Sequence, residues 1–162
     1  MKTLLGAMAL ALVIGKLAAA QGNADLFGTW ALDAAKSDQV PAARGGAPTT
    51  GAARTAAPPA RVTISSTADG VSLVLGTLTV AFKLDGTEAF WFQGGENRGT
   101  ASWNGGALVV SWKREFYAGP RQGYVTYTGK DVYSVAGNVL TLEKTTTGPE
   151  GSDTKKLVYN KS

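Results

Sequence analysis

The chain contains no histidine and no cysteine. That removes Ser-His-Asp and Cys-His catalysis, zinc sites built from His and Cys, and haem held by a proximal histidine. A tyrosine ligand to haem stays formally open. The groups left for chemistry are arginine, tyrosine, carboxylates and large aromatic rings, and they gather around Trp103–Tyr124. Alternation along Ala107–Phe116 puts Leu108, Val110, Trp112, Arg114 and Phe116 on one face, and Glu115 on the other. An inward arginine near the end of a sheet can take a carboxylate or phosphate through two parallel N–H bonds. Aromatic rings beside it can stack on sugars or flat ligands. Trp103, Trp112, Arg114, Phe116 and Tyr124 are therefore the candidate ligand-binding residues. The competing reading pairs Arg114 with an internal acid or lets it snorkel to a rim, and treats the aromatics as core or cross-strand pairs.

Other chemistries find little support. Asp85, Glu88, Glu96 and Asp131 show no metal-ligand spacing, and no oxygen-rich calcium loop is present. No glycine-rich phosphate loop precedes a helix. No metal, no cofactor and no catalytic residue is assigned, and a non-catalytic role is favoured over an enzymatic one. Asn160-Lys161-Ser162 matches a glycosylation acceptor, a triplet common by chance.

These residues must be positioned by strands. Val62 and Ile64 alternate, then Val71, Leu73 and Leu75 after an Asp69-Gly70 turn, then Leu78, Val80 and Phe82 before Asp85-Gly86. Glu88–Gln93 carries Phe90 and Phe92 on one side and Trp91 on the other. Asn104-Gly105 is the strongest short hairpin signal. As the turn it would pair Trp103 with Gly106 and Ala101 with Leu108, grouping Ala101, Trp103, Leu108, Val110 and Trp112 on an apolar face. Gln122–Val135 reads as a strand pair or one bent strand with a bulge at Gly129. Val139–Thr146 and Thr154–Asn160 follow, and Asp33–Ser37 is at most one helical turn. The fold class is all-β, an antiparallel meander of about 8–10 strands. It closes as a barrel or packs as a β-sandwich.

Residues 1–20 read as a signal peptide: Lys2, an apolar run from Leu4 to Ile14, and Ala18-Ala19-Ala20 before Gln21. Lys16 interrupts the run, which is too short to span a bilayer, and no integral membrane segment is expected after processing. Without cysteine there is no lipobox. Removal of Lys2 and Lys16 leaves 14 basic against 12 acidic residues, a charge of +2. Such a balance gives no basis for a nucleic-acid partner. Residues 21–162 suit one domain with a real core, periplasmic or secreted, stable without disulfides. Pro41–Ala60 holds only Ala, Pro, Gly, Thr and Arg, so 38–60 reads as a flexible loop. Nothing in the sequence sets an oligomeric state.

Phe27-Gly28-Thr29-Trp30-Ala31-Leu32-Asp33-Ala34-Ala35-Lys36-Ser37 resembles the start of a group of small exported bacterial proteins with a Gly-Thr-Trp first strand and a Leu-[Asn/Asp]-x-x-Lys-Ser segment. The chain's close is similar too: Leu140-Thr141-Leu142, a Gly-Pro-x-Gly turn (Gly148 to Gly151), then Leu157-Val158-Tyr159. These proteins look like lipocalin-type barrels, mostly of unassigned activity. The resemblance implies a barrel with Gly28 and Trp30 as structural motif residues. Trp30 would lie across the closed end beneath a basic side chain, with Lys155, Lys156 and Arg114 as candidates. It also implies a small-molecule ligand, apolar or amphipathic. The alternatives are a barrel lyase, isomerase or hydrolase using Arg, Tyr and carboxylate chemistry, or a structural protein of the cell envelope.

Overall fold

The computed structural model describes residues 22–38 and 57–162. The expected export signal and nearly all of the 38–60 loop lie outside them. A short 3-10 helix (Ala24–Leu26) leads into ten strands: β1 Gly28–Leu32, β2 Arg61–Ser66, β3 Gly70–Leu75, β4 Leu78–Lys83, β5 Ala89–Phe92, β6 Glu96–Asn104, β7 Ala107–Tyr117, β8 Tyr124–Ala136, β9 Val139–Gly148 and β10 Gly151–Lys161.

All pairings are antiparallel, in the order β4-β3-β2-β1-β10-β9-β8-β7-β6-β5. Chain neighbours are sheet neighbours except β4 and β5, which form the two edges, and β1 pairs with β10 to join the two halves. The result is a nearly closed barrel, consistent with a lipocalin-like one, rather than a two-sheet sandwich. The seam lies between β4 and β5, where Phe82 and Trp91 meet edge to face with ring centroids 5.7 Å apart. Side chains close the gap there, as expected for an aromatic pair worth more than its buried area.

Antiparallel succession places the connections alternately at the two ends. The 3-10 helix, the β6–β7 and β8–β9 turns and the C-terminus share one end. The β1–β2 connection and the β5–β6, β7–β8 and β9–β10 turns share the other. Inward positions toward the first end are filled by Leu26, Trp30, Ile64, Leu108, Tyr133, Leu140 and Tyr159, all fully buried. Trp30 donates its indole N–H to the Leu26 carbonyl, 3.1 Å away. The cation over its ring is Lys161, whose Nζ stands 5.3 Å from the ring centroid. None of the three basic residues considered from the sequence takes this place. The β1–β10 register decides it by setting Lys161 directly opposite Trp30.

Three local expectations change. The β6–β7 turn is Gly105-Gly106, with φ of 56° and 85°, and Asn104 pairs with Ala107. A two-residue hairpin of this twist needs positive φ at both positions, and glycine adopts it without the steric penalty that asparagine would meet. Trp103 therefore pairs with Leu108 and Ala101 with Val110. The sequence parity is unchanged, so the expected apolar face survives. Gly129 is not a bulge: β8 is one strand whose ladders run through Gly129 opposite Trp112 and Thr146. Gly70 is not a turn residue but opens β3, where a Cβ would lie 1.8 Å from the Phe82 carbonyl oxygen.

The segment after β1 explains the Asp-x-x-Lys-Ser spacing. Asp33 and Ser37 continue the contact of β1 with β10 after the strand ends. Asp33 N–H donates to the Val158 carbonyl (2.8 Å), and Ser37 Oγ accepts from Val158 N–H (2.9 Å). Asp33 accepts from Asn160 Nδ2 (3.1 Å) and pairs with Lys36 (3.0 Å). Lys36 and Asn160 hold the Asp33 carboxyl below its ordinary pKa by stabilising the charged form. One turn at Asp33–Ser37 is present, closed by Lys36 N–H on the Asp33 carbonyl (3.2 Å).

Candidate ligand-binding site

Toward the end that carries the β1–β2 connection, the barrel lining changes character. The inward residues of β7 and β8 are half-buried aromatics and charges: Trp112, Arg114, Phe116 and Tyr127, followed by the buried Asp131. Glycines on neighbouring strands make room for the rings. A Cβ on Gly129 would lie 2.2 Å from the Trp112 ring, and one on Gly99 3.0 Å from Trp112 Cβ. A Cβ on Gly148 would lie 2.3 Å from the Tyr127 ring, and one on Gly95 3.0 Å from Phe116 Cβ. The Trp112 and Tyr127 rings therefore rest against backbone that has no side chain to displace them, an arrangement that keeps large rings flat on a sheet.

Polar groups fix two of these side chains. Trp112 donates its indole N–H to Asp131 Oδ1 at 3.2 Å, and Asp131 Oδ2 pairs with Lys144. A carboxylate this buried needs both partners. Phe116 and Tyr127 stack with centroids 5.9 Å apart and planes 13° from parallel. The Arg114 guanidinium carbon lies 5.2 Å from the Tyr127 centroid and 5.8 Å from that of Phe116. The Arg114 Nε is shielded from solvent and has no hydrogen-bond partner. Beside it, buried Asn97 donates to the carbonyls of Gly95 (2.9 Å) and Gln93 (3.2 Å) and so holds the β5–β6 turn in shape.

Deeper in the barrel, Tyr133 and Tyr159 are fully buried. Burial first, then the negative charge of Asp131, raises both phenols: Tyr133 well above the usual value and Tyr159 to about 12. The Tyr159 hydroxyl has no hydrogen-bond partner.

The residues expected to form one site are divided among three places. Trp112, Arg114 and Phe116 come together on the inner face of β7. Trp103 belongs to the opposite end, where its ring meets Phe27 edge to face at 6.3 Å. Tyr124 stands on the outer face, 79% exposed, against Tyr117 at a centroid distance of 5.5 Å. Trp103 has the inward parity of Trp112 but lies at the other end of its strand, a separation that alternation does not reveal. Tyr127 and Lys144 join the site through pairing of β8 with β7 and β9. Their inward parity was readable in the sequence, but which strands flank them was not.

A shallow depression of about 350 Å³ lies over β6–β8, rimmed by the outward side chains of Arg98, Thr100, Ser111, Lys113 and Thr128. It opens broadly to solvent on a polar sheet face, where little of a ligand's surface could be buried.

No known protein family matches the chain, and no curated protein or solved structure matches it. The fold and this lining define the class: a nearly closed, ten-stranded antiparallel β-barrel with one densely filled half and one aromatic, charged half.

Proposed function

We propose that this is an exported, periplasmic or secreted lipocalin-like barrel that binds a small apolar or amphipathic molecule at the end carrying the β1–β2 connection, with no catalysis assigned. One observation carries the reading. Trp112, Phe116 and Tyr127 form a half-buried aromatic layer in the open half, supported on glycines. A packed core would be expected to bury such rings fully, as it buries Trp30. Ligand pockets characteristically combine aromatic walls with a few placed polar groups, here Arg114 and the Asp131–Lys144 pair.

A barrel enzyme would need a carboxylate within reach of Arg114 or Tyr124 in one cavity. Arg114 faces two rings instead, and Tyr124 lies outside.

The test is tryptophan fluorescence titrated with a library of fatty acids, flavonoids and aromatic acids. Binding should change the emission of the protein, and Trp112→Phe should remove most of that change while Trp30, Trp91 and Trp103 remain. Silence across the whole library, by fluorescence and by calorimetry, would sink the reading.

A further inference from the structure

We infer that the ligand carries a carboxylate, and that Arg114 receives it. The inference rests on the binding role proposed above and names the chemistry of the ligand's head group.

Arg114 differs from the other basic residues of β6 and β7. Arg98 pairs with Glu96 at 3.2 Å and Lys113 with Glu115 at 2.6 Å, both on the outer face. Arg114, on the inner face, has no ion-pair partner among the described residues, and its Nε–H is buried without an acceptor. The rings of Phe116 and Tyr127 contact the guanidinium but cannot serve its in-plane donors. A cation–π contact acts through the ring face, whereas the N–H bonds lie in the guanidinium plane. A buried donor without an acceptor is uncommon in folded proteins and asks for an explanation.

The geometry points to an oxyanion approaching in that plane. Nε–H and the adjacent Nη–H form a fork that matches the two oxygens of a carboxylate. Gly94 lies beside the other edge of the guanidinium, where a Cβ built on it would stand 3.8 Å from Nη1. Asn97 holds the turn that carries Gly94. Charge supports the same sign. Among the described residues, the inward cations of this half are Arg114, Lys144 and Lys155. The inward acids are Asp131, committed to Lys144 and Trp112, and Asp153, which is 68% exposed and 3.4 Å from Lys155. Among the described residues one inward positive charge is left over, and it is Arg114. The neighbouring rings would take the apolar body of the same molecule, giving an amphipathic carboxylic acid.

The experiment compares matched pairs by calorimetry on the processed protein: decanoate against decanol, and 2-naphthoate against 2-naphthamide, with decyl phosphate as a third arm. In the wild type the carboxylates should bind about 10-fold or more tightly than their uncharged partners, the range expected for hydrogen bonds to a charged group. Arg114→Met should abolish that preference and leave the neutral compounds within a few-fold of wild type. Arg114→Lys keeps the charge but loses the fork, so it should retain only part of the preference. It also answers the question should Arg114→Met fail to fold. Equal affinity for acid and neutral partner in the wild type overturns the carboxylate assignment and leaves the binding role standing. A preference for decyl phosphate over decanoate reassigns the head group and overturns it too. Absence of binding by every compound overturns both.

Discussion

The two halves of the barrel are built from the same strands, yet they are filled in opposite ways. Toward the 3-10 helix, Leu26, Trp30, Leu108, Leu140 and Tyr159 leave nothing exposed. Toward the β1–β2 connection, the lining becomes Trp112, Arg114, Phe116 and Tyr127, each half-buried. The polar groups differ as well. Trp30 gives its N–H to a backbone carbonyl of the adjacent 3-10 helix, a contact within one local segment. Trp112 gives its N–H to a side-chain carboxylate held by a lysine on a third strand. The first arrangement stabilises a plug. The second keeps charge and half-buried aromatic surface on the inner face, at a cost in desolvation.

The sharpest break of this comparison is truncation of one tryptophan in each half. Trp30→Ala should cost about 3–5 kcal/mol in chemical denaturation, as large aromatic truncations in cores do. Trp112→Ala should cost clearly less, because its ring keeps partial exposure and solvent or neighbouring side chains can fill the space. Equal losses would mean that both halves are core and that the open half has no distinct role.

Gly129→Ala tests the glycine support of the aromatic layer. Its new Cβ would meet the Trp112 ring at 2.2 Å, and the Thr145 carbonyl oxygen lies 2.9 Å away. Overpacking of this kind costs about 1–3 kcal/mol, and it should shift the Trp112 emission as the ring is displaced. An unchanged spectrum and midpoint would show that the ring moves freely and is not held against β8.

Ser37→Ala should destabilise by about 1 kcal/mol, the net value of one hydrogen bond, since Val158 N–H would lose its acceptor. Ser37→Thr, which keeps the hydroxyl, should recover most of the loss. If Ser37→Ala is neutral, the contact between the post-β1 turn and β10 adds nothing beyond the strand ladder.

The two buried phenols give no response to pH at neutrality and respond only in alkali. Tyr159 has its pKa raised from 10.0 to about 12, and Tyr133 is raised further by burial and by Asp131. Below pH 10 the phenols are neutral in both folded and unfolded chains, and stability is intact. Above it the unfolded chain releases phenolic protons that the folded chain retains, so stability falls between pH 10 and about 12. Tyrosinate absorbance should show Tyr133 and Tyr159 ionising only as the barrel opens. Ionisation of Tyr133 and Tyr159 while the barrel is still folded would contradict the buried placement.

Much of this architecture was legible before any coordinates. Alternation is a property of neighbouring residues, so Leu108-x-Val110-x-Trp112-x-Arg114-x-Phe116 could be read as one inner face from the chain alone. The same holds for Phe90 and Phe92 facing away from Trp91, and they are the exposed pair. Hairpin chemistry is local too, which made the Gly148–Gly151 turn readable, although Gly105-Gly106 displaced Asn104-Gly105 by one position.

By itself, then, the sequence determined the strand content, the antiparallel meander and the inward or outward sense of most side chains. It also determined that no His or Cys chemistry is available. Only the tertiary structure decided that β1 meets β10 to close the barrel, that Lys161 lies over Trp30, and that Trp103 and Trp112 serve opposite ends. It alone separated Tyr124 from Arg114 and brought Tyr127 and Lys144 into the site. The physical reason is the range of the interactions. Backbone alternation and turn geometry act over two to four residues. Closure, height along the barrel and the partners of a charge depend on register between strands more than a hundred residues apart, as for Ser37 and Val158.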